Sequence, residues 1–131
     1  MPVVRGIIVW VLVLMISAPA IGQEDLLQNV SAAMKAGSSR ELVKYFHNVV
    51  EINIDGERSN YSRTQAEVVL REFFQKNTAE DFEYIHEGAS KEGLSYTIGK
   101  LTYKGGSYRV VMFIKKFDDV YAVDTFNLNK E

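Results

Sequence analysis

Two residues in the second half of the sequence have side chains that could support acid–base chemistry. His86 follows Phe82 and Tyr84 at every second position, so on a strand it would share their face and could act as a base in a cavity. Asp124 is the one acid in the apolar part of the last predicted strand, where a carboxylate kept from water could serve as a general base. They would form a dyad only if both point inward. Otherwise His86 is an edge residue and Asp124 an ordinary surface acid.

Aromatic residues on the predicted strands are the candidates for ligand contact. Tyr84, Tyr96 and Phe113 could line a pocket or form a contact face, although aromatic residues are also common in sheets for packing reasons alone. The second histidine, His47, follows Phe46 at the end of a predicted helix, where the helix dipole favours a cation. We expect a capping or surface role for it.

Motifs for metals, nucleotides and nucleophilic catalysis are missing from the sequence. It has no H-x-x-x-H pair, calcium loop, glycine-rich phosphate loop or nucleophile elbow. The absence of cysteine excludes disulfides, thiolate catalysis and cysteine-ligated zinc. We therefore expect no metal and no cofactor.

The N-terminal 22 residues have the three-part pattern of a secretory signal peptide. Arg5 precedes ten consecutive apolar residues, Ile7 to Ile16, and small residues follow up to Gly22. A membrane span needs about 20 apolar residues, so we expect cleavage, after Gly22 or after Ala20, rather than a stable membrane anchor. The predicted product is periplasmic or secreted.

Residues 23–131 are long enough for one domain with its own core and too short for two. This part of the chain has 14 basic and 17 acidic residues, a net charge of −3, and its basic residues are scattered. An acidic balance gives no electrostatic basis for binding nucleic acid, so we expect none as a partner.

Helix signals dominate the first half of the domain. A buried stripe over residues 24–36 ends at Gly37, and Ser38 with Glu41 then forms an S-x-x-E capping box before a short second helix. A third helix is predicted over 63–77. Ser62 and Gln65 form its capping box, although Asn60-Tyr61-Ser62 also matches a glycosylation acceptor. Because the helix that follows is so regular, we interpret Ser62 as its N-cap.

Strand signals lie between the second and third helices and after Asn77. Val49 to Ile54 alternates, and Asp55-Gly56 predicts a tight hairpin with a return strand over 57–61. Four long strands follow Asn77. Gly99 lies where the apolar parity of one of them changes, which predicts a β-bulge. The stretch 107–116 is apolar on both parities, as expected of a central strand covered on both faces.

This order of elements resembles the nuclear transport factor 2-like superfamily, whose α+β fold packs three helices in a strongly curved antiparallel sheet, shaped like a cone. The stretches "LVKYFHNVVEINIDG", "YSRTQAEVVLREFF" and "YAVDTFNLNKE" are similar to a small exported bacterial family catalogued as domain of unknown function 4783. The resemblance implies fold and export but no activity.

Two functional classes follow from the resemblance. Without catalytic motifs, the chain is expected to be a non-catalytic binding module that holds a small apolar ligand in the cone or a protein partner on the sheet. The alternative is a small isomerase- or hydratase-like enzyme that uses His86 or Asp124 in the cavity, as some superfamily members use such groups. Superfamily members often pair through the sheet, and Arg109, Val111 and Phe113 share one face, so we also expect a homodimer through this face.

Overall fold

The computed structural model describes residues 22–89 and 94–131, so the predicted signal peptide lies outside the described residues except for Gly22. The elements follow the predicted order of helix, helix, two strands, helix and four strands. They are α1 (Gln23–Ala36), α2 (Ser39–Leu42), β1 (Phe46–Ile54), β2 (Glu57–Ser62), α3 (Arg63–Lys76), β3 (Ala79–Ala89), β4 (Ser95–Tyr103), β5 (Gly106–Phe117) and β6 (Val120–Lys130), with a 3₁₀ turn, Val43–Tyr45, between α2 and β1.

The six strands form one curved sheet in the order β2-β1-β6-β5-β4-β3. Four neighbouring pairs are antiparallel, but β1 and β6 run parallel, so the prediction of a wholly antiparallel sheet was wrong for this pair. Parallel neighbours need a long connection, and α3 with β3, β4 and β5 provides it.

Asp55, in the β1–β2 turn, links β1 to β6 and β5 by three hydrogen bonds. Its backbone N–H donates to Leu128 O at 2.9 Å, and its carboxylate accepts from Lys130 N at 2.8 Å and from Tyr108 Oη at 3.3 Å.

Helix ends and tight turns agree with the local signals in the sequence. Gly37 ends α1 in the left-handed conformation with φ 62°, and Asp55 and Gly56 both have positive φ in the hairpin turn. The capping box of α3 is complete, because Ser62 Oγ accepts from Gln65 N at 3.3 Å and Gln65 Oε1 accepts from Ser62 N at 3.0 Å. The interpretation of Ser62 as an N-cap is confirmed.

Ser62→Ala is expected to lower the free energy of unfolding by about 1 kcal/mol, because the Gln65 amide loses its acceptor. Ser59→Ala, the same change at an exposed position of β2, is the matched control and should leave stability within about 0.5 kcal/mol of wild type. Urea unfolding of the two variants measures the difference. Equal midpoints for both would show that the cap contributes nothing.

The second helix is shorter than predicted, and His47 does not lie at its end. The chain leaves the 3₁₀ turn at Phe46, which is buried as the first residue of β1. His47 is the second residue of that strand, and its ring stacks on Phe117 with centroids 3.6 Å apart and planes 13° from parallel. The packing of Phe46 in the core starts the strand three residues before the alternating pattern does, so the predicted helix-end role of His47 was wrong.

The prediction of a β-bulge at Gly99 in β4 was wrong, and the bulge lies on the neighbouring strand β3. β4 keeps one parity, with Thr97, Gly99 and Leu101 all on the buried face, and its register with β5 is continuous. The register shift occurs in β3, where Ile85 is the extra residue between the pairs Tyr84–Gly99 and His86–Ile98. The lack of a side chain at Gly99 has a different cause. A Cβ there would lie 2.4 Å from Cζ of Phe82, whose ring occupies that space.

A second bulge explains the mixed parity of the last strand. Phe113 pairs with Thr125 and Ile114 pairs with Val123, which leaves Asp124 as the extra residue of β6. The side chains that belong to the core cluster therefore change from odd to even positions at this point, from Val123 to Phe126.

All three helices pack on one face of the sheet. One continuous cluster of buried side chains lies between helices and sheet, and its largest fully buried members include Phe46, Phe82 and Phe126. β5 contributes Val110, Met112 and others to this inner face, while its other face is only partly covered. The prediction that β5 is covered on both faces was therefore wrong within the described residues. Among those residues, no helix has the length and apolar character to cross a membrane.

Candidate functional site

The outer face of the sheet, opposite the helices, brings together most of the predicted site residues. Strand alternation and register align Tyr96 of β4 with Phe113 of β5, and Ile98 with Val111 in the next row. Their side chains are half-buried. Ile85 at the β3 bulge extends this apolar strip and is 60% exposed. We use "outer strip" for these five residues.

His86 belongs to this outer surface and not to the interior. The bulge at Ile85 reverses the parity of β3, so His86 lies on the face opposite Phe82 and Tyr84 and is exposed. Its Nε2 lies 3.2 Å from the hydroxyl of Tyr96, at hydrogen-bond distance. The prediction that His86 shares a face with Phe82 and Tyr84 was wrong, because alternation cannot be extended across a bulge.

Tyr96 lies over a glycine of β3 and beside Phe113 of β5. Its ring covers Gly88, where a Cβ would lie 2.4 Å from Tyr96 Cζ, and its centroid is 6.5 Å from that of Phe113. Its ring thus adds apolar surface at this end of the outer strip.

Tyr84 lies apart from the other two aromatic candidates, on the inner side of β3. Its hydroxyl donates to the backbone oxygen of Leu27 at 2.6 Å. Burial, and secondly the nearby carboxylate of Glu87, raise the pKa of Tyr84 far above its ordinary value. A groove of about 510 Å³ beside Tyr84 lies between α1 and β3, and Glu24 and Lys35 are among the residues that line it. Because the phenol stays protonated and bonded to α1, its role here is to anchor the helix to the sheet.

Asp124 and His86 do not form a dyad. β4 and β5 lie between β3 and β6, which separates the two strands by about 14 Å. Asp124 is half-buried at its bulge and is outside the core cluster. The structure therefore brings no acid–base pair from these two residues into the interior.

Charges of both signs border the outer strip. Glu83, Lys100 and Arg109 form a row across β3, β4 and β5. Arg109, with Glu131 and His86, also lines a shallow groove of about 390 Å³ beside Ile98. This edge of the face is thus polar and close to neutral. Among residues 22–89 and 94–131, no group of three or more His, Asp or Glu side chains could hold a metal ion.

Sequence reasoning missed Ile85 and Ile98 as members of this surface. The signal for them was indirect. β5 has apolar side chains on both faces, but the helices cover only its inner face. Apolar residues beside its outer face, such as Ile98, could therefore have been predicted to continue an apolar surface.

Comparisons with known proteins agree with this architecture. The family model "Domain of unknown function (DUF4783)" matches residues 27–129. A crystal structure of a DUF4783 family protein from Bacteroides ovatus is 33% identical, with a TM-score of 0.74 over 79% of this chain and 93% of that chain. A family protein from Bacteroides fragilis is 30% identical, with the same TM-score over 79% and 96%.

A more distant likeness extends to the fold alone. A nuclear transport factor 2-like designed protein with a long sheet is 16% identical, with a TM-score of 0.64 over 82% of this chain and all of that chain. A search of curated proteins returns no match. The family model covers most of the chain, and the fold has the three helices and curved sheet of this superfamily. The chain belongs to the family of domain of unknown function 4783.

Proposed function

We propose that this protein is a non-catalytic binding module whose outer strip binds a second copy of the same chain. The observation that carries the proposal is β5, which is apolar on both parities while the helices cover only one of them. Its outer residues Val111 and Phe113 continue into Ile98 and Tyr96. An apolar centre with a polar rim is the usual anatomy of a protein interface.

The charges beside the outer strip favour the same face of a second copy as the binding partner. The domain as a whole is acidic, so two copies repel one another at most orientations. Lys100 and Arg109, however, balance Glu83 and Glu131 at this edge. Two such faces can therefore approach without a net repulsion. The resemblance to a superfamily whose members pair through the sheet supports the same occupant.

An interior ligand fits the packing less well. Phe46, Phe82 and Phe126 are fully buried in the space that the sheet encloses, and the recesses described above lie outside it. We therefore favour the sheet surface over the interior of the cone as the binding site.

Sedimentation equilibrium of the purified protein tests the dimer. We expect twice the chain mass at micromolar concentration, and the monomer mass for Val111→Glu, because each copy would bury an unpaired carboxylate at the centre of the interface. Val68→Glu is the matched control. Val68 is 45% exposed on α3, away from the sheet's outer face, and this variant should remain dimeric.

Two outcomes would overturn the proposal. One is a wild-type protein that stays monomeric up to about 1 mM, because its self-association would then be weaker than expected for an interface of standard size. The other is a dimer that Val111→Glu leaves intact. Val111→Thr, which keeps the β-branched shape, is the second variant. If Val111→Thr dimerises more weakly than wild type but unfolds at the same temperature at a concentration where both are monomeric, the interface has been lost and the fold has not.

We further propose that the protein is exported and that residues 1–22 are its signal peptide. We expect the chain from its native host to begin at Gln23, or at Ile21. Gly22 is the N-cap of α1, and its backbone oxygen accepts from Leu26 N at 3.1 Å, so a start at Gln23 removes one helix hydrogen bond. Mass spectrometry of the intact protein decides between the two. An unprocessed chain with Met1 in the membrane fraction would contradict export.

A further inference from the structure

A pocket of about 380 Å³ lies where the β5–β6 turn meets the first residues of β1 and of α3. Its floor is apolar and consists of Leu26, Phe46 and Ala122, all buried. Half-buried rings of Tyr45 and Tyr121 stand at its sides. We use "turn pocket" for this recess, which shares no residue with the outer strip. Its volume is within the range of about 300–1,000 Å³ that small-molecule sites occupy.

One wall of the turn pocket is a fixed aromatic surface. The imidazole of His47 stacks on the ring of Phe117 with centroids 3.6 Å apart, and Lys115 Nζ lies 5.7 Å from the same ring. Stacking on both an imidazole and a cation restricts the rotamers of Phe117. This part of the lining is therefore fixed in position.

The polar side of the turn pocket carries one arginine that is incompletely paired. Arg63 Nη2 donates to the neutral amide oxygen of Asn48 at 2.7 Å, and among the described residues no carboxylate lies within ion-pair distance of Arg63. Lys44, also in the lining, is held by Glu41. Asp118 is the one acid in the lining. An exposed guanidinium with free N–H groups presents the fork that matches a carboxylate.

We propose that the turn pocket binds a small amphipathic carboxylate, with its apolar body against the half-buried rings of Tyr45, Phe117 and Tyr121 and its carboxylate paired with Arg63. Apolar contact would supply most of the affinity, and the guanidinium would select the anion over a neutral analogue.

Titration of ¹⁵N-labelled protein with two probes of the same shape tests this proposal. The probes are 4-phenylbutyrate and its neutral counterpart 4-phenylbutan-1-ol. We expect saturable amide shifts over Tyr45–Asn48 and Phe117–Ala122, with a Kd of about 1 mM or below for the acid. We expect the alcohol to bind at the same place about tenfold more weakly, because it lacks the charge-assisted hydrogen bonds.

Variants of two arginines assign the selectivity. Arg63→Gln should weaken the acid about tenfold and leave the alcohol unchanged. Arg40→Gln, the same change at an exposed residue of α2 outside the pocket lining, should change neither. Thermal unfolding confirms that both variants are folded. Arg63 is exposed and glutamine is a good helix former, so both should melt close to wild type.

Three results would overturn the proposal. The first is the absence of saturable shifts up to about 10 mM acid, beyond the range of a useful site. The second is a set of shifts confined to the groove between α1 and β3 or to the outer strip. The third is equal affinity for acid and alcohol, or an Arg63→Gln variant that retains the preference of wild type.

Discussion

Phe73→Ala is expected to lower the free energy of unfolding by about 3–5 kcal/mol. Phe73 is 5% exposed on the inner face of α3. Its ring meets those of Phe74 and Tyr108 edge-on, at centroid distances of 5.4 and 4.9 Å. Truncation removes both contacts and leaves a cavity between α3 and β5, which the rigid sheet cannot close. A loss of this size is a large share of the stability of a domain of about 100 residues.

Urea unfolding measures this loss, and the same helix supplies the control. Val68 lies on the solvent side of α3, 45% exposed, so Val68→Ala should change the free energy of unfolding by no more than about 0.5 kcal/mol. Phe73→Leu should fall between the two, because it refills part of the cavity. If Phe73→Ala unfolds at the same urea concentration as Val68→Ala, the inner face of α3 has been assigned wrongly.

The second large effect is expected at Gly99. A methyl group there would overlap the ring of Phe82, since an added Cβ lies 2.4 Å from Cζ and 2.6 Å from Cε2. Phe82 is 1% exposed and has no room to turn away. Gly99→Ala is therefore expected to lower the free energy of unfolding by about 1–3 kcal/mol through overpacking, although alanine has the better intrinsic strand preference.

Gly88→Ala is the matched control for Gly99→Ala. Its added Cβ would meet Tyr96 at the same distance of 2.4 Å, but Tyr96 is half-exposed on the outer face and its ring can swing into solvent. We expect a cost below about 1 kcal/mol. Equal costs at the two glycines, measured by chemical denaturation, would contradict the view that burial of the opposing ring decides the effect.

A double-mutant cycle identifies the ring responsible. In a Phe82→Leu background, Gly99→Ala should cost at least about 1 kcal/mol less than in wild type, because leucine does not reach over the glycine. An additive result would place the strain elsewhere, for example against Glu83 O, which lies 3.2 Å from the added Cβ.

Features that depend on a few neighbouring residues could be predicted from the sequence. The cap at Ser62, the left-handed Gly37 and the Asp55-Gly56 turn each need one local conformation, which the residue type itself favours. The helix faces followed because a period of 3.6 residues persists along an unbroken helix. These elements fixed the order on which the family resemblance rests.

Sheet faces could not be predicted because they depend on neighbouring strands. The bulges at Ile85 and Asp124 each shift one strand against its partner, and no property of either residue marks the shift. Beyond each bulge the alternation is reversed, so His86 was placed on the wrong face and Asp124 could not be placed. The parallel pairing of β1 with β6 is likewise a property of two segments distant in the sequence.

The outer strip shows the same limit for the candidate site. Tyr96 and Phe113 were recognised by type, but their place beside Ile98 and the contact of Tyr96 with His86 depend on the register of three strands. Tyr84 and Tyr96, which are alike in the sequence, ended on opposite faces. The sequence showed that β5 has apolar side chains at both odd and even positions, but only the fold revealed that the helices leave one of these sets uncovered.

The parallel pairing of β1 with β6 also determines when this chain can fold. β6 (Val120–Lys130) is the last strand of the sheet in sequence order, and it is hydrogen-bonded to β1 on one side and to β5 on the other. Without it, β2 and β1 are separated from β5, β4 and β3, and Asp55 has no partner in Lys130, 75 residues later. Closing so long a loop costs entropy before any contact repays it, and such topologies fold slowly. The six-stranded sheet therefore cannot be completed on a growing chain before β6 has been synthesised.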